Sequence, residues 1–237
     1  MWKDEFEVRE FTFEGRAAKL VFPHAGTANG KWLLKTEYLY AFQDMELDLV
    51  KRGFHLAYLE NTHRWGGTAD LDAKLRFRDY LVSEYGLSPR CVPVGMSCGG
   101  LIAVKLAARH PEMVSCLYLD APVINLLSCP MGFGSGRLNS AIDEMLTALG
   151  LSRTDILVYR DHPLDNLPRL IAAKIPAVLV CGDSDDTVPY DENGIYVKQA
   201  YEQAQLPFLF ELKPGCNHHP HGPTDMQIVV EFIESHT

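Results

Sequence analysis

The sequence predicts an α/β domain built on a doubly wound, mostly parallel sheet. Three observations lead there. Short apolar, β-favouring runs alternate with stretches of helical period along most of the 237 residues. Residues 91–108 pass from an apolar run, through the tight turn Gly95-Met96-Ser97-Cys98-Gly99-Gly100, into an apolar helix. Two later runs, 177–181 and 208–212, open into loops that carry Asp and His. Parallel strands joined through helices deliver such loops to one edge of the sheet.

Each element has its own signal. Residues 5–13 alternate Phe6, Val8, Phe11 and Phe13 with charged residues. A turn at Glu14-Gly15-Arg16 follows, and 17–22 is apolar again, so the pair reads as an antiparallel hairpin at a sheet edge. Residues 23–30 are a loop of small residues. Residues 32–40 are aromatic-rich and fit either a short strand or the lead into a helix. A helix is predicted over 42–51, closed by Gly53, then a strand over 54–59. Residues 60–67 are a polar loop with Trp65. A second helix covers 70–85, closed by Gly86. His110-Pro111 stops the helix after Ser97, and 115–119 is a strand ending at Asp120.

Residues 124–168 break the rhythm with a Gly-rich piece and helical runs at 138–149 and 164–173. They read as a short cap insertion over the carboxyl edge of the sheet, within one domain spanning 1–237. Strand and helix then alternate through 177–181, 193–203, 208–212 and 226–235.

Composition narrows the function. Hydrophobic content of 47% and charged content of 22% are ordinary for a soluble globular chain. A net charge of −9 disfavours phosphate backbones and anionic membrane surfaces as partners. No apolar run approaches the ~20 residues of a membrane span, and the polar start at 1–7 is neither a signal nor a transit peptide. The six cysteines form no CxxC pair and read as reduced thiols, which places the protein in the cytoplasm.

Gly95-x-Ser97-x-Gly99 between a strand and a helix is the pattern that lifts a serine oxygen above a sheet at a helix N-terminus. A serine hydroxyl is a weak nucleophile and needs a neighbouring base, itself oriented by a carboxylate. Behind it come Gly182-Asp183-Ser184-Asp185-Asp186-Thr187-Val188-Pro189 and then Gly215-Cys216-Asn217-His218, in the order Ser, Asp, His. Spacing to Gly182 and Pro189 favours Asp185 as the acid. Asp183, Asp186 and Asp120 are rivals, with Asp120 read first as a cap on the Ala121-Pro122 turn.

With these motifs the chain resembles the α/β-hydrolase superfamily along nearly its whole length. Gly182, Asp185, Val188 and Pro189 match its Gly-x-x-Asp-x-x-Val-Pro pattern. Gly215 to His218 match Gly-x-Gly-His, with Asn217 replacing glycine by the residue next most willing to turn left-handed. Asp165-Asn166-Leu167, Asp191-Glu192-Asn193 and Pro214-Gly215-x-x-His218-His219-Pro220-His221 are similar to a group of bacterial esterase-like hydrolases. The resemblance implies a catalytic triad of Ser97, Asp185 and His218. It also implies an oxyanion hole from the backbone N–H of Cys98 and a second donor in the loop after 17–22, where Ala25 or the segment near Trp32 are candidates. His24-Ala25 is a rough echo of the usual His-Gly signature.

The expected activity is serine hydrolysis of small carboxylic esters, carbohydrate esters among them, without cofactor or metal. An aminopeptidase-like hydrolase is the alternative, with Asp120, Asp183 and Asp186 as a pocket for an amino group. A catalytically silent binding protein on the same fold is the third reading. His218, His219 and His221 resemble a metal cluster, but neither a helical i, i+4 pair nor a carboxylate partner set is visible, so His219 and His221 read as surface or supporting residues. Lys31, Lys35 and Glu37 read as solvated surface charge.

Overall fold

The computed structural model describes residues 5–237; the polar start at 1–4 lies outside them. Eight strands form one sheet: β1 (Val8–Phe13), β2 (Arg16–Val21), β3 (Trp32–Lys35), β4 (His55–Leu59), β5 (Val92–Met96), β6 (Leu117–Asp120), β7 (Ala177–Gly182) and β8 (Phe208–Lys213). Their spatial order is β1-β2-β4-β3-β5-β6-β7-β8. The β1/β2 and β2/β4 pairs are antiparallel, and every later pair is parallel. The predicted edge hairpin and parallel sheet are both present.

Among the described residues there are seven α-helices: α1 (Asp44–Lys51), α2 (Thr68–Tyr85), α3 (Cys98–Arg109), α4 (Ile142–Leu149), α5 (Pro163–Ala172), α6 (Gly194–Ala204) and α7 (Met226–Ser235). Alternation along the central strands sends Leu33, Leu56, Val94 and Val178 to one face, where Met45 and Leu49 of α1 and Val229 and Ile233 of α7 cover them. Leu34, Ala57, Leu119 and Leu179 point the other way, beneath Phe77 of α2, Leu101 of α3, Leu170 of α5 and Val197 of α6. Burial on both faces explains why these strands read as continuous apolar runs.

Two elements differ from expectation. The ambiguous stretch 32–40 is a strand for four residues only, fully buried between β4 and β5, and the aromatics behind it lie in a loop. The run 138–149 starts as a 3-10 turn at Arg137–Ala141 and becomes α-helical at Ile142. Between β6 and β7 the chain crosses the carboxyl edge. Glu144 of α4 takes hydrogen bonds from Trp65 Nε1 (2.9 Å) and Arg64 (2.6 and 2.9 Å), behind β4. Arg137 N donates to Asp186 O, behind β7. Helix α5 then returns to the layer of α3 and α6. Among the described residues, no helix is long and apolar enough to cross a membrane.

One buried cation gives a pH-dependent prediction. Lys74 of α2 is 1% exposed and donates to Leu59 O at 2.9 Å. Burial pushes its ammonium down to about 8, against the pull of Asp70 and Glu37. Between that value and the ordinary one near 10.4, the unfolded chain holds a proton that the folded chain has lost, so stability rises with pH across this window. Below pH 8 the folded state carries the whole cost. Lys74→Met is expected to raise stability at pH 7 by about 1–3 kcal/mol and to flatten the slope from pH 8 to 10. Urea midpoints across that range check it; an unchanged slope in the variant would assign the slope to other groups.

Candidate active site

β5 ends at Met96, α3 starts at Cys98, and Ser97 between them has φ +53° and ψ −120°. A positive φ strains a serine, and such strain persists only where the surroundings enforce it. Here Ser97 N donates to Asp120 O, while Ser97 O accepts from Val123 N and Gly100 N, all at 3.0 Å. The turn is tight because glycines let backbones meet. A Cβ on Gly95 would sit 2.5 Å from Gly99 O, and one on Gly100 would sit 2.4 Å from Pro122 Cβ. A Cβ on Gly99 would meet Thr36 Oγ1 and Glu37 Cβ at 3.1–3.2 Å, a tight contact with side chains.

Three loops bring the predicted side chains together. Asp185 follows β7; its Oδ1 accepts the N–H groups of Thr187 (2.9 Å) and Val188 (2.8 Å), which fixes the carboxylate. Its other oxygen lies 2.7 Å from His218 Nδ1, and His218 Nε2 lies 3.1 Å from Ser97 Oγ. All three side chains are buried. With Nδ1–H donating to Asp185, Nε2 presents its lone pair to the serine hydroxyl.

The histidine loop is anchored from both sides. Lys213 Nζ donates to Pro220 O (2.9 Å) and Gly222 O (2.8 Å). Asn217, expected to replace glycine through a left-handed backbone, is not among the positive-φ residues. Its side-chain oxygen instead accepts from Asp186 N (3.1 Å) and His218 N (2.7 Å), tying the acid loop to the base loop.

The rival acids have other partners. Asp120 does not cap the Ala121-Pro122 turn. Its carboxylate meets His221 Nδ1 at 2.7 Å and accepts from Gly222 N (2.6 Å) and Tyr118 Oη (3.0 Å). Burial opposes its ionisation, but His221, the Gly222 N–H and Lys213 outweigh it and hold the carboxyl below its ordinary value. Asp183 accepts from Gly215 N (2.7 Å) and Ser184 Oγ (2.8 Å), and Asp186 pairs with Arg137 at 3.1 Å. Each of the three acids expected to furnish a pocket for an amino group thus has a partner within the fold.

Of the predicted oxyanion donors, only Cys98 stands at the site. It leads α3, where the first N–H groups have no partner within the helix. Its thiol is buried and pushed up to about 11, with Arg64 and Tyr38 acting against the shift. Trp32 and Ala25 are at the wrong edge of the sheet. β3 runs parallel to β5 with Leu33 level with Val92, so Trp32 sits at the amino end of its strand, where Nε1 donates to Ser88 O. β2 runs antiparallel to β4, so its end, Val21, lies level with Leu56 at the start of β4. The loop holding Ala25 thus leaves at the amino edge, where Asn29 N donates to Gly53 O.

The loop that reaches the serine turn is the one after β3. Thr36 Oγ1 lies 2.7 Å from Gly99 O and 3.0 Å from Val94 O, and Thr36 N donates to Val94 O. Glu37 is held by Asn61 at 2.7 Å, and Tyr38 has φ +52°. The signal for this loop was the run Trp-Leu-Leu-Lys, short enough to be a central strand that ends at Thr36. Lys35, read as surface charge, is fully buried against Glu46.

Other residues hold the neighbouring chain. Asn193 Oδ1 accepts from Ile124 N and Asn125 N, both at 3.0 Å. Glu192 bonds the Ser128 hydroxyl and Ser135 N, so residues 124–135 are fastened beside the acid loop. All six cysteines are unpaired, five of them buried.

Comparison with known proteins agrees with this architecture. The structure of Pyrococcus horikoshii acylaminoacyl peptidase superposes with a TM-score of 0.71 at 16% identity, over 90% of this chain and 38% of that one. A puromycin hydrolase gives 0.72 at 18% identity, over 97% and 38%. Porphyromonas gingivalis dipeptidyl peptidase 4 gives 0.72 at 16% identity, over 98% and 35%. The chain thus spans well under half the length of each. Identities this low show a shared α/β-hydrolase fold. The prolyl oligopeptidase family model matches residues 52–236, a stretch that runs from the end of α1 through the serine turn and both later loops, and so the chain belongs to the prolyl oligopeptidase family of serine hydrolases.

Proposed function

We propose that this protein cleaves amide bonds of small acylated substrates, such as N-blocked peptides, through an acyl-enzyme on Ser97. The observation that carries the reading is the continuous relay from Asp185 through His218 to Ser97, at 2.7 and 3.1 Å. His218 takes the serine proton as Oγ attacks the carbonyl, then returns it to the leaving amine. Asp185 holds the imidazole in the required tautomer. The tetrahedral oxyanion is met by Cys98 N–H and by a second N–H from Glu37, since Thr36 N donates to Val94 O and Tyr38 N to the Glu37 carboxylate.

Family membership and the peptidase titles of the structural neighbours support amides over esters alone. The engagement of Asp120, Asp183 and Asp186 supports a blocked rather than a free amino end. Small esters follow by the same route, because an alcohol leaves more readily than an amine. The stretch 124–149, crossing the carboxyl edge between Arg64 and Asp186, bounds the substrate on that side as a cap.

The test uses a fluorophosphonate probe with three substrates. Labelling at Ser97 is expected, with turnover of acetyl-alanyl anilide and of 4-nitrophenyl acetate, and weaker turnover of the free alanyl anilide. No labelling and no turnover would sink the enzyme reading. Ester turnover without any anilide turnover would replace it by the esterase reading.

A further inference from the structure

Three histidine rings converge beside Ser97. The centroids of His218, His219 and His221 are 5.0, 4.9 and 5.0 Å apart, and one nitrogen from each lies within 4.8 Å of the other two. The fold gives two of these rings a carboxylate partner, one expected from the sequence and one not. Asp185, after β7, engages His218 Nδ1, and Asp120, at the end of β6, engages His221 Nδ1, each at 2.7 Å. Both rings therefore leave Nε2 to face other groups. A carboxylate on the far nitrogen is the outer-shell arrangement that orients imidazole metal ligands and raises their basicity.

We propose that His218, His219 and His221 form a site for a divalent transition metal of the zinc class, and that its occupancy shuts off hydrolysis. The binding half rests on geometry alone; the inhibitory half rests on His218 being the base of the proposed reaction. Tetrahedral Zn–N bonds of about 2.0–2.1 Å place three imidazole centroids about 5 Å apart and their ligating nitrogens about 3.3 Å apart. The centroid triangle already has the first dimension. The second needs the nitrogens to draw in from separations of up to 4.8 Å. His219 is the exposed member, held by stacking on Phe42 (5.5 Å, 13°) rather than by a hydrogen bond.

Three imidazoles leave a fourth position open, and Ser97 Oγ, 3.1 Å from His218 Nε2, stands next to it. Neutral nitrogen donors select zinc, copper or nickel over magnesium or calcium. Metal on His218 Nε2 occupies the lone pair that would otherwise accept the serine proton. The relay is then interrupted while the fold is untouched.

The experiment uses chelator-stripped protein. Titration with Co2+ is expected to give the visible bands of a tetrahedral site at one equivalent, removed by Zn2+. Micromolar Zn2+ is expected to slow fluorophosphonate labelling about tenfold or more, with EDTA restoring it and Mg2+ having no effect. His219→Ala should label at the wild-type rate without metal and lose the zinc effect. Asp120→Asn should weaken cobalt binding by roughly 10–100-fold. No cobalt bands, or a His219→Ala protein as sensitive to zinc as wild type, would overturn the site. Absent labelling in metal-free protein would instead remove the proposed hydrolytic function, while the cobalt titration would still decide whether the metal binds.

Discussion

Ser97→Ala is expected to lower turnover by about 10⁶-fold while leaving the unfolding midpoint nearly unchanged. His218→Ala should cost about as much, and the double variant little more, because in the proposed mechanism nucleophile and base act as one unit. Asp185→Asn is expected to lose roughly 10⁴-fold, since the amide presents the wrong hydrogen-bonding group to Nδ1. Asp120 has no route to rescue it. Its carboxylate is spent on His221 and Gly222 N, and His218 Nδ1 faces Asp185 alone. Asp120→Asn should therefore retain most of the activity. Active-site titration with initial rates on 4-nitrophenyl acetate separates lost sites from slowed chemistry. Total loss in Asp120→Asn beside an active Asp185→Asn would show that the acid is Asp120.

The contrast between those two aspartates shows what the sequence made legible. Ser97, Asp185 and His218 were readable because each sits at a fixed offset from a strand end and a glycine or proline. Local geometry constrains those offsets, and the local pattern reports them. The sheet was readable for a similar reason: strands buried on both faces leave uninterrupted apolar runs. Which edge of the sheet the loops after β2 and before β3 leave from was not readable. Ala25 and Trp32 are at the amino edge because β2 is antiparallel to β4 and β3 parallel to β5. No composition signal in residues 17–40 distinguishes those pairings. The Asp120–His221 contact spans 101 positions, and Asp185–His218 spans 33. The shorter one was inferred only because a known chemistry demands it. For Asp120 no such demand existed, and a turn cap was the simplest local account. Lys35 failed likewise, because an isolated Lys between apolar residues and Thr-Glu carries no mark of a carboxylate packed beneath it.

That buried pair has the largest expected effect on stability. Lys35 ends β3, and its Nζ reaches Glu46 of α1, Ala41 O (3.2 Å) and Met96 Sδ (3.5 Å). Both charged side chains are fully buried. Lys35→Met leaves Glu46 buried without its counter-charge, at a cost of about 3–5 kcal/mol. For a chain of this size that lowers the thermal midpoint by about 6–20 °C. Lys35→Met with Glu46→Leu removes both charges and should return to within about 1–2 kcal/mol of wild type, because the pair's attraction barely exceeds the cost of desolvating it. Glu46 Oε2, buried without a hydrogen-bond partner, adds to that cost. Urea unfolding of the two variants decides the point; a single variant as stable as the double would mean the pair contributes nothing. Activity should not recover with stability. Nζ also holds Ala41 O, and with it the loop that brings Thr36 and Glu37 beside Gly99. In the double variant that tether is gone. A normal unfolding midpoint with a depressed kcat would place Lys35 as a positioning residue for the proposed oxyanion loop, buried because a tether from beneath keeps the exit of β3 fixed without entering the substrate space.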